Sequence, residues 1–179
     1  MHATLSDVIA DTAQNSIEAG AKKIEVTLIE DGKTISVRIK DNGKGMDEEF
    51  LKNVTSPFTT KRTTRKVGLG IPLLKMAAEG TGGGIDIKSE VGIGTVITAT
   101  FSYNHIDRQP LGNIVDTVFT VITSYTETDF LFIHTVKEKE FRLDTREMRE
   151  ILGGVPFNDA GVMQWLLGYL KEGEEELYA

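Results

Sequence analysis

Cysteine is absent from the 179 residues, which removes disulfides and thiolate-ligated metals from consideration. Histidine is scarce: His2, His105 and His134 lie far apart, form no spaced ligand set, and each reads as an ordinary structural histidine. No apolar run approaches the roughly 20 residues that a membrane span requires. The opening "MHATLSDVIADTAQ" has no basic segment followed by an apolar one, so no secretory signal is expected. There is no internal repeat, and the only biased tract is "EGEEE" near the end. What remains is 40% hydrophobic and 26% charged, the profile of a soluble globular protein with its own core and, by default, a cytoplasmic location.

Charge is unevenly spread. Residues 1–103 hold 13 Lys and Arg against 13 Asp and Glu, whereas residues 104–179 hold 7 against 14, so the net −7 belongs to the second part. An acidic surface is a poor partner for phosphates, and nucleic acid is not expected there. The shift in charge coincides with "SYNHIDRQPLGN", which lacks apolar periodicity and reads as a connector. Two units follow, 1–103 and 104–179.

In the first unit Val8, Ile9, Ala13 and Ile17 recur at helical spacing over residues 5–19, with Ser6 as a candidate N-cap and Gly20 as the stop. "KIEVTLI" and "KTISVRIK" alternate apolar and polar residues around Asp31-Gly32, which predicts a β-hairpin. A short helix capped by Asp47 is expected over 47–54, then a polar, basic loop over 55–67. A helix follows over 69–79 with Pro72 in its first turn, and after it the strands "GIDIKS" and "TVITATF". Interleaved helices and strands predict an α/β layer structure. In the second unit "DTVFTVITSY", "DFLFIHTV" and "KEFRL" read as three β-like runs. "DTREMREIL", with a capping-box-like Asp144 and Glu147, and "NDAGVMQWLLGYL" read as helices, the last apolar nearly all round and so expected to be buried or docked. The second unit is a smaller α+β region without a chemical motif.

Asp11, Asn15 and Glu18 share one face of the first helix. Such a stripe is ordinarily a solvent face, but Asn is a poor helix-interior residue and its amide oxygen is a suitable hard ligand for Mg²⁺. "DNGKGM", residues 41–46, reads alone as a turn. Two further glycine clusters add to it: "VGLGIP" ahead of a helix, where the N–H groups of Gly68, Leu69 and Gly70 can meet an anion, and "VGIGT" between strands. The basic loop with Lys61, Arg62, Arg65 and Lys66 lies between them and has the length of a lid.

In order, "DTAQNSIEAGA", "DNGKGM", "SPFTTKR" and "VGLGIPLLKMAAEGTGGGIDIKSEVGIGT" resemble the N, G1, F, G2 and G3 boxes of the GHKL ATPases, the superfamily of gyrase, histidine kinases and MutL. The likeness covers about residues 5–101; the first two boxes look like MutL and the rest like the catalytic domain of sensor histidine kinases. It implies a two-layer α/β sandwich of the Bergerat type, with a mixed sheet and helices on one face, that binds ATP and Mg²⁺. By the same matching Asp41 accepts the adenine amino group, Gly43 and Gly45 admit backbone close to the base, and Met46 belongs to the same box. Asn15 holds Mg²⁺, Gly68, Leu69 and Gly70 contact phosphates, Lys61 contacts phosphate or closes the lid, and Thr95 helps bind adenine.

Two departures matter. Asp11 stands where hydrolytic members carry glutamate, and a reacting group displaced by about 1 Å can cost on the order of 10²-fold in rate, so slow hydrolysis is expected. The chain also starts almost at the first box, without the helical hairpin that bears a kinase's phosphoacceptor, and His2 and His134 lack its setting. Strands from 115–143 are expected to extend the sheet in place of the missing amino-terminal element. Three functions stay open: a slow ATPase or a kinase acting on a separate protein, a nucleotide-gated interaction module that meets its partner through the lid or the carboxy-terminal part, and a domain that has lost nucleotide binding.

Overall fold

The computed structural model describes residues 4–55 and 70–179. Helix α1 (Leu5–Glu18) leads into the hairpin β1 (Lys23–Glu30) and β2 (Thr34–Asp41). Asp31 closes that hairpin by accepting the N–H groups of Lys33 and Thr34, both at 2.7 Å. The short α2 (Glu48–Asn53) starts on the Asp47 cap, and α3 (Gly70–Gly80) is followed by β3 (Gly84–Glu90) and β4 (Gly94–Ser102). After the connector come α4 (Ile114–Ser124), β5 (Asp129–Val136), β6 (Lys139–Asp144), α5 (Thr145–Leu152) and α6 (Ala160–Tyr178).

Six strands form one mixed sheet in the order β3-β4-β2-β1-β5-β6, antiparallel throughout except for the parallel pair β1 and β5. Alternation along each strand sends every second residue to one buried face. Register stacks these residues into rows across the strands. Ile87, Ile97, Ile39, Val26, Phe132 and Leu143 make one row; Ile85, Ala99, Val37, Leu28, His134 and Phe141 make the next. Helices α1, α3 and α6 pack on this face, and α4 touches both α1 and α6. The opposite face, represented by Asp86, Thr98, Arg38 and Thr27, is partly or fully exposed. The protein therefore has two layers, as expected, and no described helix is long and apolar enough to cross a membrane.

Three local expectations are corrected. "DTVFTVITSY" is helical rather than extended. Ile114, Val118, Val121 and Ile122 fall on one buried helical stripe, and Asn113 caps the start by accepting the Asp116 N–H at 3.0 Å. Stripe and cap together outweigh the β-preference of its branched side chains. The cap of α1 is Thr4 rather than Ser6: Thr4 and Asp7 exchange side-chain-to-backbone bonds in a capping box, while the Ser6 hydroxyl donates to the Leu111 carbonyl at 2.6 Å. At α5, Asp144 caps by accepting the Arg146 N–H, and Glu147 pairs with Arg142 instead of closing the box.

Sheet extension by the second unit holds for residues 129–144. β5 pairs with β1 along its whole length, and α4 covers α1. Phe132 is fully buried in the middle of the sheet, so Phe132→Ala is expected to cost about 3–5 kcal/mol by removing a core ring. Calorimetry should give one cooperative transition for the full chain and none for residues 1–103 alone. A soluble, cooperatively melting 1–103 fragment would contradict this.

Candidate functional site

The first row of the buried face differs from the others. It runs Ser89, Thr95, Asp41, Ile24 and Phe130, so three polar residues sit side by side where the sheet meets the loops. A carboxylate on an otherwise apolar face needs hydrogen-bond partners, and Asp41 has them. Its Oδ2 accepts the Ser16 hydroxyl of α1 at 2.7 Å, and its Oδ1 accepts the Gly43 N–H at 2.9 Å. Ser89 Oγ lies 2.8 Å from Thr95 Oγ1 and accepts the Met46 N–H at 2.8 Å.

The loop after β2 is stitched down residue by residue. Asn42 Oδ1 accepts the N–H groups of Lys22 and Lys23 at 2.8 and 2.9 Å, and the Lys44 N–H donates to the Ala19 carbonyl at 2.9 Å. The Gly92 N–H in turn donates to the Lys44 carbonyl at 2.8 Å. Such closeness leaves little room for side chains. A Cβ at Gly43 would meet Ala19 at 3.0–3.1 Å; at Gly45, which has φ +71°, it would stand 2.0 Å from the Glu90 carbonyl oxygen. The Glu90 backbone is thus sufficient reason for Gly45, while Gly43 is a tight fit against Ala19.

Between α1, this loop and α3 lies a cleft of about 350 Å³, within the size range of small-molecule sites. Asp11, Asn15, Asp41, Gly45, Met46, Gly70 and Thr95 all line it, so seven of the expected site residues converge on one cavity. Gly43 stands beside it, bonded to Asp41. Lys61, Gly68, Leu69 and the remainder of the basic loop from Ser56 on lie outside the described residues. The walls are apolar, with Val8, Phe50, Ile71, Leu74 and Ile97 prominent. Gly70 brings the positive end of α3 to the rim.

Sequence reasoning missed Ser16 and Ser89. Ser16 follows Asn15 and looks like another solvent-side hydroxyl; only the approach of α1 to the end of β2 gives it Asp41 as a partner. Ser89 is separated from Met46 by 43 positions. The alternation of β3 was the one available signal, since it places Ser89 on the face of Ile85 and Ile87.

The sequence profile described as "Histidine kinase-, DNA gyrase B-, and HSP90-like ATPase" matches residues 2–105. The sensor histidine kinase YvrG of Bacillus subtilis is 34% identical over 100 residues, covering 52% of this chain and 17% of that protein. The sensor histidine kinase ZraS of Escherichia coli is 31% identical over 111 residues, 60% of this chain and 23% of that one. The chain thus spans less than a quarter of either kinase. Among solved structures, the Aquifex aeolicus MutL ATPase domain complexed with ADP superposes with a TM-score of 0.50 at 16% identity, over 83% of this chain and 68% of that one. The amino-terminal domain of a DNA repair protein gives 0.52 at 16% identity, over 79% and 52%. At that identity the likeness concerns the fold.

Gly45→Ala forces a side chain into positive φ and against Glu90, and should cost at least about 2 kcal/mol. Gly80→Ala, with open space around it, should change stability by less than about 0.5 kcal/mol. Thermal melts of the two variants check the contrast.

Proposed function

We propose, from the premise that this chain belongs to the histidine kinase-, DNA gyrase B-, and HSP90-like ATPase family, that its cleft binds ATP with Mg²⁺ and that the protein turns nucleotide over slowly, as an ATPase or as a kinase of a separate protein. The observation that carries the reading is Asp41: a carboxylate pinned by Ser16 and Gly43 at the floor of an apolar cleft. A purine needs an apolar slot and a placed acceptor for its amino group, because burying that group unpaired is costly. Each Asp41 oxygen retains acceptor capacity beyond the one bond described.

The donor set suits Mg²⁺. Asn15 offers a neutral hard oxygen from the cleft-facing side of α1, and the described residues contain no group of three or more acidic, His or Cys side chains able to cage an ion. That matches an ion held by one or two protein ligands together with the substrate's phosphates. When bound, Mg²⁺ would neutralise phosphate charge. Gly70 at the start of α3 favours anions through the helix dipole, and we assign the same role to Gly68 and Leu69, with Lys61 as a cationic contact. Thr95, held by Ser89, orients the base from the sheet side. Asp11, one helical turn before Asn15, is the group that orients a water or a hydroxyl and takes its proton. Its short side chain sets the slow rate. In this reading residues 1–103 form the nucleotide-binding unit and residues 104–179 support it and meet a partner protein, in the cytoplasm where ATP is supplied.

A second reading, a nucleotide-gated interaction module with little catalysis, is favoured by one surface. On α6 the Trp165 and Tyr169 rings stack at 5.6 Å while remaining 43% and 39% exposed. Aromatic residues are enriched in interface cores relative to the rest of a protein surface.

Calorimetry with ATP and Mg²⁺ tests the common premise. Asp41→Asn should weaken ATP binding about 10- to 100-fold, the worth of a charge-assisted hydrogen bond, with unchanged melting behaviour of the sheet. Asp11→Asn should leave ATP affinity intact and abolish phosphate release. Unchanged release would remove Asp11 from the chemistry, and no heat of binding in the parent protein would remove ATP.

A further inference from the structure

The same buried face holds a second polar centre at its other end. His134 of β5 is fully buried. Its Nδ1 lies 2.9 and 2.8 Å from the two carboxylate oxygens of Glu174 on α6, and its Nε2 lies 2.9 Å from Glu30 Oε1 on β1. The Tyr178 hydroxyl, also on α6, donates to that Glu30 oxygen. Both carboxylates are nearly buried, at 6% and 9% side-chain exposure. With both ring nitrogens engaged inside a strand, His134 is no candidate phosphoacceptor.

Proton counting decides what this arrangement needs. An ionised carboxylate only accepts, and a neutral imidazole has one N–H to donate. With two carboxylates ionised and the ring neutral, one ring lone pair would face a carboxylate with no hydrogen between them. The trio closes its hydrogen bonds only with one further proton, as an imidazolium between two carboxylates or as a neutral ring beside one carboxylic acid, and these share a single macroscopic titration.

We propose that this shared proton fastens α6 to the sheet: while the cluster holds it the helix stays docked on β1 and β5, and when it leaves the helix opens. Leaving a buried charge unpaired carries a desolvation cost on the scale of the free energy that keeps a sub-global unit closed. Against that cost α6 sets Val162, Leu166, Leu170 and Leu177, packed on the face that also holds Phe141, and Gly173, where a Cβ would meet the Phe141 ring at 2.1 Å. The charged surroundings are few. Arg108 acts on Glu30 and Tyr103 on Tyr178 from the connector side, and Lys139 of β6 caps the carbonyls at the end of α6. β6 otherwise presents the Phe141 ring.

The sign of the pH effect follows from the cluster. Burial pushes His134 down, but hydrogen bonds to Glu174 and then Glu30 outweigh it and hold the imidazole above its ordinary value. Burial likewise pushes Glu30 up, yet the bonds from His134 and Tyr178 keep it below its ordinary value. A raised histidine contributes stability that is complete below its unfolded value and is lost as pH climbs through the folded one. A depressed carboxylate loses its contribution only as pH falls through its own lowered value. Release of α6 therefore belongs to the alkaline side.

Trp165 is the only tryptophan and lies on α6, so its emission reports this helix. The test follows the full-length protein from about pH 5 to about pH 10, combining the His134 ring resonances, Trp165 emission and amide protection corrected for intrinsic exchange. The expected result is a His134 midpoint above the ordinary imidazole value. Over the same interval α6 protection should fall at least tenfold, while β2 and β4 amides keep theirs. Glu174→Gln should move both midpoints to lower pH together. Four outcomes would overturn the proposal: His134 losing its proton with α6 protection unchanged, α6 opening where His134 does not titrate, no titration of His134 in the range, or α6 and β2 losing protection together.

Discussion

Everything in this molecule depends on the register of one buried sheet face. Period-two alternation in six strands lays down rows of Ile, Val, Leu and Phe that the helices cover, broken by polar residues at two places: Ser89, Thr95 and Asp41 in the first row, and His134 and Glu30 in rows toward the other end of the face. A slip of one residue in β2 would turn Asp41 to the open face and put Lys40 against α1. The Asp41 and Ser16 bond is consequently more than a local contact. It is possible only when β2 is in register with β1 and β4 and α1 lies across their end, so the site and the fold are specified by the same alignment.

Two polar centres occupy opposite ends of this face, and they obey opposite rules. Around Asp41 the hydrogen bonds hold a carboxylate, a threonine and a loop in place while leaving them on the wall of a cleft. That is how a binding site is built: fixed groups with capacity to spare. Around His134 both ring nitrogens are engaged and the ring is fully buried, so the cluster joins three elements, β1, β5 and α6. Strand β1 runs between the two centres, from Ile24 in the row of Asp41 to Glu30 in the histidine cluster.

Family membership accounts for residues 2–105, and the sheet extends past them. β5 enters parallel to β1, which requires a crossover rather than a hairpin, and α4 is that crossover's helix, packed on α1. Residues 104–179 thus add two strands to the sheet and helices to the layer that holds α1. Four of their 14 acidic residues lie on α6, where Glu172, Glu175 and Glu176 face water while Glu174 turns inward.

The sequence alone determined what short-range chemistry can decide. Strict alternation around Asp31-Gly32 made the hairpin, Asp47 began α2, and the order of the glycine-containing boxes marked the cleft, because hairpins, caps and glycine turns are settled within a few residues. Tertiary structure decided the rest. α4 became a helix against its β-branched composition because a buried stripe and an Asn113 cap awaited it; Ser16 acquired Asp41 only when α1 crossed β2. His134 and Glu174, 40 positions apart, looked like a core histidine and part of an acidic tail. Partnerships across such distances carry no local signature, since their energy exists only once the intervening chain has folded.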